Sequence, residues 1–181
     1  AIISLRHHIT GSLKVNNQKF QIIGDGYIEK DWGRSFPQDY LWLQSNSCKE
    51  KEASLFLSIA KIPLLACSFQ GLIMNLLVDD QQIRVATYYG ARVKDMFTRE
   101  GYHYLIISQH PHTFYLKIKA GHRFELKSPQ SGKMNGYVEE SLNALAVLLV
   151  YPSRSSTDSN FFNSHNRKLF IYYCLLLPVN C

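Results

Sequence analysis

Gly24-Asp25-Gly26-Tyr27-Ile28-Glu29-Lys30-Asp31-Trp32-Gly33-Arg34-Ser35-Phe36-Pro37 sets two strand carboxylates, a phenol, an indole and a guanidinium among glycines. From Tyr27 to Trp32 the side chains alternate in character. The period of two of an extended chain puts Tyr27, Glu29 and Asp31 on one face and Ile28, Lys30 and Trp32 on the other. Glycines at 24, 26 and 33 and the stop at Pro37 punctuate both ends. Such a strand is either the wall of a ligand site or a seam in a barrel, and the rest of the chain reads as its scaffold.

Upstream, Ile2 to His7 and Leu13 to Ile23 read as strands, and Asn16-Asn17 offers a two-residue hairpin turn because asparagine accepts positive φ. Downstream, Tyr40 to Asn46 puts Tyr40, Trp42, Gln44 and Asn46 on one face, which fits either a half-buried sheet face or a wall of ligand contacts. Leu55 to Ala60 and Leu72 to Val78 are apolar runs, and Asp79-Asp80 marks a turn before Ile83 to Tyr89. Met96 to Gly101 reads as a polar loop. Strands follow at Tyr104 to Ser108, Thr113 to Lys119 and His122 to Leu126, with a tight turn at Gly121. Short strands at short intervals predict an antiparallel, all-β fold. One stretch conflicts with that pattern: Leu142, Leu145, Ala146 and Leu149 in the segment from Glu139 to Tyr151 trace a helical stripe.

At 181 residues, one sizeable core is the expected organisation. Aromatic residues at 13% and charged residues at 19% argue for a folded, strand-rich chain and against disorder. A net charge of +6 favours anionic partners. No basic stripe or nucleic-acid motif concentrates it, so the expected partner is an anionic membrane surface touched peripherally and not nucleic acid. Cys48, Cys67, Cys174 and Cys181 are widely spaced thiols, which suits a reducing, cytoplasmic setting and not a zinc site. His110-Pro111-His112 shares an imidazole pair on one face but brings no third ligand, so no metal is expected. Neither a phosphate-cradling glycine loop nor a G-x-S-x-G turn is present, and no cofactor is expected.

Gly26 to Pro37, followed by Tyr40-Leu41-Trp42-Leu43-Gln44-Ser45-Asn46, resembles the central signature of the tocopherol cyclase-like proteins. The resemblance extends through Ser58-Ile59-Ala60-Lys61-Ile62-Pro63, Ala86-Thr87-Tyr88-Tyr89-Gly90-Ala91 and Glu140-Ser141-Leu142-Asn143-Ala144. It implies an antiparallel lipocalin-like barrel or partial barrel over residues 1–152, and it makes the Glu139 to Tyr151 segment a late barrel strand. It also implies that this chain is the C-terminal half of a longer protein, and leaves open whether activity requires the N-terminal half. The implied activity is ring closure of a prenylated benzoquinol, an intramolecular lyase reaction of the isomerase class.

That reaction needs a protonated acid in a dry pocket, with apolar and aromatic walls around the prenyl tail. Glu29 and Asp31 are the candidate acids, although Lys30 or Arg34 beside them would favour the carboxylate, and a purely structural ion pair is the alternative. Trp32 with Arg34 reads as a cation–π seal at a barrel end. Tyr27, Tyr40, Trp42, Gln44, Asn46, Tyr88 and Tyr89 are the candidate cavity lining. A noncatalytic barrel carrying an isoprenoid, quinone or other lipid needs the same cavity without the acid. Residues 153–181 break the pattern: a polar segment precedes the apolar run Leu169 to Leu177, which is shorter than the ~20 residues of a membrane-spanning helix. A truncated or frameshifted reading frame, leaving a dispensable tail, is the favoured explanation, and a docked C-terminal strand the alternative.

Overall fold

Asn16 and Asn17 take φ of 45° and 68°, left-handed values that asparagine tolerates, and so close the first hairpin. Strand β1 (Ile2–Val15) runs antiparallel to β2 (Gln18–Glu29), with Val15 facing Gln18 across the turn. This computed structural model describes residues 2–37, 39–48, 52–64, 67–79, 81–152 and 167–178. The chain divides into two units, Ala1–Trp32 and Gly33–Cys181. The first is the β1–β2 hairpin. The boundary expected at residues 152 and 153 falls inside the second unit.

The second unit contains β3 (Tyr40–Cys48), β4 (Ala53–Leu64), β5 (Cys67–Val78), β6 (Gln81–Ala86), β7 (Arg92–Arg99), β8 (Tyr102–Gln109), β9 (His112–Lys119), β10 (Phe124–Gln130), β11 (Lys133–Pro152) and β12 (Arg167–Pro178). They form one ten-stranded sheet in the order β6-β5-β4-β3-β12-β11-β9-β8-β7, with β10 also paired to β11. Every pairing is antiparallel. Of the closed and partial barrels expected, the partial one is observed: β6 and β7 are unpaired edges. Among the described residues no helix is long and apolar enough to cross a membrane.

Alternation fills the concave face. Leu41 and Leu43 on β3, Leu55, Leu57 and Ile59 on β4, Leu72, Met74 and Leu76 on β5, Leu105 and Ile107 on β8, and Phe114, Leu116 and Ile118 on β9 form one buried cluster. β11 completes it with Ala144, Ala146, Leu148 and Val150, a period of two. The helical stripe in this segment is therefore an accident of phase. A register irregularity against β12 between Ser141 and Ala144 shifts the buried set, so Ser141 and Ala144 are both buried although they stand three residues apart. Gly121 allows the β9–β10 connection to lie against β11, since a Cβ there would collide with the side chain and carbonyl of Asn143. The Gly121 N–H donates instead to Ser141 Oγ at 2.9 Å.

Three expectations change. Met96 and Phe97 are not loop but part of β7, because the turn lies further on, at Glu100 and Gly101, which take φ of 53° and 75°. The signature strand ends at Glu29, whose partner is Ile2 at the start of β1; Lys30, Asp31 and Trp32 lie beyond the ladder. The C-terminal apolar run takes the form of the docked strand: β12 pairs with β11 on one side and β3 on the other. The polar segment 153–166 lies outside the described residues.

A side chain spans the open seam. Gln109, at the end of β8, accepts from the Ala86 N–H through Oε1 at 3.0 Å and donates through Nε2 to the Arg84 carbonyl at 2.9 Å. One amide thus acts as a strand partner for the edge of β6.

Deleting residues 167–181 removes the strand that joins the two halves of the sheet. It should lower the melting temperature by more than about 10 °C or abolish a cooperative transition, as read by circular dichroism; an unchanged melt would refute the placement of β12. Gln109→Ala leaves a buried N–H and a carbonyl without their partner. The expected loss is about 1–3 kcal/mol in urea unfolding, with an unchanged m value.

Candidate functional site

Large side chains such as Leu57, Met74 and Phe114 fill the middle of the buried face. A cavity of about 660 Å³ lies at one mouth, where β3, β5 and β8 begin and β4, β7 and β9 end. Leu41, Ile59, Leu105 and Ile118 form its floor and belong to the core. Tyr40, Phe69, Met96 and Phe97 form its walls. The antiparallel order explains this convergence, since alternate strand ends necessarily meet at one rim.

Polar groups sit at the rim. Asp39 and Lys61 are bound twice: the Lys61 N–H donates to the Asp39 carbonyl at 2.9 Å, and Lys61 Nζ stands 3.7 Å from Asp39 Oδ2. Both side chains are exposed, so water screens the pair. On the opposite wall, the β7–β8 register sets Thr98 beside His103, and Thr98 Oγ1 lies 2.9 Å from His103 Nδ1. Burial pushes the His103 imidazole below its ordinary pKa, and the Arg123 charge adds to the effect. Arg123 itself is paired, 2.7 Å from Glu139 Oε2. Phe97 and Tyr104 stack at 4.9 Å between centroids on the lip.

The candidates read from sequence are distributed differently. Glu29, Asp31, Tyr27 and Trp32 belong to the hairpin unit. There Tyr27 and Glu29 share a face as their spacing requires, and the Tyr27 hydroxyl donates to Glu29 Oε2 at 2.7 Å. Burial and then that hydrogen bond hold the Tyr27 phenol far above its ordinary pKa, so it keeps its proton. Trp32 is 92% exposed. Arg34 opens the second unit, where its carbonyl accepts from the Gly132 N–H at 2.7 Å and Ser35 Oγ accepts from the Ser131 N–H at 2.8 Å. This half of the signature braces the β10–β11 turn.

Of the four side chains on the polar face of β3, Tyr40 alone borders the cavity. The face of β3 in the core carries Leu41, Leu43 and Ser45, so Trp42, Gln44 and Asn46 form the half-buried opposite face. Trp42 packs edge-on to Phe56 at 6.3 Å, and Gln44 Nε2 donates to Asn46 Oδ1 at 3.2 Å. Tyr88 and Tyr89 sit in one exposed turn of 3₁₀ helix at Thr87–Tyr89, in edge contact at 4.6 Å. Tyr88 borders a shallow groove with Ile62, Phe69 and Ile73. Sequence reading missed Thr98 and His103 because it treated Met96 to Gly101 as a loop. The usable signal was Glu100-Gly101, a turn that brings Thr98 and His103 opposite each other.

His112 is also held below its ordinary pKa, by burial and then by the His110 charge. For both histidines the unfolded chain binds a proton near pH 6.5 while the folded chain still resists it. Stability is therefore fully present above that pH and falls as pH drops from about 6.5 toward the folded-state values. The double variant His103→Gln, His112→Gln should show a flatter melting temperature between pH 7 and 5 than the unaltered chain, measured by calorimetry. Parallel profiles would show that neither imidazole resists protonation.

No protein-family model and no curated protein matches this chain. Among solved structures it is similar to kievitone hydratase from Nectria haematococca, with 12% identity and a TM-score of 0.45 over 94% of this chain and 50% of that one. The chain thus spans half the length of that protein.

Proposed function

We propose that the protein binds an elongated apolar molecule, an isoprenoid, quinone or related lipid, in the mouth cavity of the second unit. The observation that carries this reading is the cavity itself. Its volume of about 660 Å³ falls within the ~300–1,000 Å³ of small-molecule sites, and a continuous apolar floor meets a few polar groups at the rim. Burial of an isoprenoid chain against Leu41, Ile59, Leu105 and Ile118 supplies the binding energy. Delivery from an anionic membrane surface belongs to the same proposal. It is supported by the cation–aromatic cluster on the convex side of β8 and β9, where Lys117 Nζ lies 4.1 Å and Lys119 Nζ 5.5 Å from the Tyr102 ring centre.

A second reading is acid-catalysed closure of a prenylated benzoquinol, as the resemblance to tocopherol cyclase-like proteins implies. The Tyr27–Glu29 pair favours it, because it holds a hydrogen-bonded carboxyl within the signature stretch. Glu29 carries this reading because it is the carboxyl that takes part in that hydrogen bond.

One series of variants separates the two. Ser68 is exposed at the rim, so Ser68→Trp should obstruct the mouth without unfolding the chain, and displacement of a bound apolar fluorophore should weaken roughly tenfold. Unchanged affinity would place the ligand elsewhere and overturn the proposal. Glu29→Gln should leave that binding intact under both readings, and chroman formation from a prenylated benzoquinol should be lost only if the second holds.

A further inference from the structure

The cavity has a built polar end, and its chemistry selects a head group. We propose that His103, positioned by Thr98, anchors the hydroxyl of the bound molecule, so that the ligand is an alcohol or phenol with an apolar tail. The inference rests on the cavity reading above and specifies which members of the apolar class enter.

The argument starts from the register. Thr98 and His103 are cross-strand partners on β7 and β8, and both line the cavity. His103 follows the same alternation as Leu105 and Ile107, which carries its ring to the concave face. Its Nδ1 is engaged by Thr98 Oγ1 at 2.9 Å, which leaves Nε2 as the ring nitrogen for a ligand. The imidazole is neutral at neutral pH because it is partly buried beside a cation. A neutral ring offers either an acceptor or a donor at Nε2, according to whether the threonine hydroxyl accepts from or donates to Nδ1. A ligand hydroxyl satisfies both arrangements, since it donates and accepts; an ether satisfies only one and a hydrocarbon neither.

Charge argues against a carboxylate. The cation on the rim, Lys61, stands against Asp39, and the cation acting on His103, Arg123, is paired with Glu139. A carboxylate entering here would be desolvated without a cation of its own. The apolar floor of Leu41, Ile59, Leu105 and Ile118 takes the tail, and the head remains at the rim.

Farnesol, its methyl ether, the corresponding hydrocarbon and the corresponding carboxylic acid, titrated near neutral pH against a displaced fluorophore, test this. The alcohol should bind roughly tenfold more tightly than the hydrocarbon, as one retained hydrogen bond predicts, and the ether should match the alcohol only where Nε2 is the donor. His103→Phe should erase that preference, and His103→Gln, which keeps a donor and an acceptor, should retain part of it. Thr98→Val, at an exposed position, should reduce it by freeing the ring. An alcohol preference that survives His103→Phe, or tighter binding of the acid than of the alcohol, overturns the anchor while leaving the cavity reading intact. Binding of none of the four, or binding indifferent to Ser68→Trp, overturns the cavity reading and the anchor with it.

Discussion

The backbone pairing of β12 with β3 on one side and β11 on the other is the constraint on which the second unit depends. Remove it and the sheet separates into β6-β5-β4-β3 and β11-β9-β8-β7, two sets of strands made from different halves of the chain. Each set carries an apolar face that is buried only against the other, as Leu43, Leu57 and Met74 are buried with Ile107, Phe114 and Leu148 in one cluster. The last strand in sequence thus makes the longest-range connection. Such a contact is entropically costly to form and is compensated only when both flanking ladders close.

The site follows from how that core is filled. Leu, Ile, Met and Phe at alternate positions fill the middle of the buried face, and the cavity described above lies at a rim. At the rim strands end, ladders lose partners, and polar side chains appear for local reasons: Asp39 and Lys61 where β3 meets β4, Thr98 and His103 around the turn from β7 to β8. Structural need and ligand chemistry coincide there. The same logic explains Gln109, a polar side chain used where the sheet fails to close.

The hairpin unit has its own internal supports. A two-stranded ribbon is marginal in water by itself. Its internal supports are local: the Asn16-Asn17 turn, the Arg6–Asp25 pair at 2.7 Å, and the Tyr27–Glu29 hydrogen bond. The residues that make the signature stretch chemically conspicuous are thus in part the residues that order this ribbon. Arg34 and Ser35, on the other side of the division, order a different turn.

Local rules in the sequence determined the strand class, the Asn16-Asn17 hairpin, the turn at Asp79 and the shared face of Tyr27 and Glu29, because each depends on neighbouring residues and the period of two. Tertiary structure decided what no local rule contains. It made Leu142 to Leu149 a strand despite a helical stripe, since β9 and β12 supply ladders on both sides and an irregularity resets the phase. It turned Leu41 and Leu43, not Trp42 and Gln44, toward the core, because which face of a strand is inside depends on the strands opposite it. It placed the C-terminal run at the centre of the sheet and brought His103, Ile59 and Phe69 around one cavity. His103 is far in sequence from the paired strands that carry Ile59 and Phe69, and only closure of the two halves of the sheet through β12 sets its distance from them.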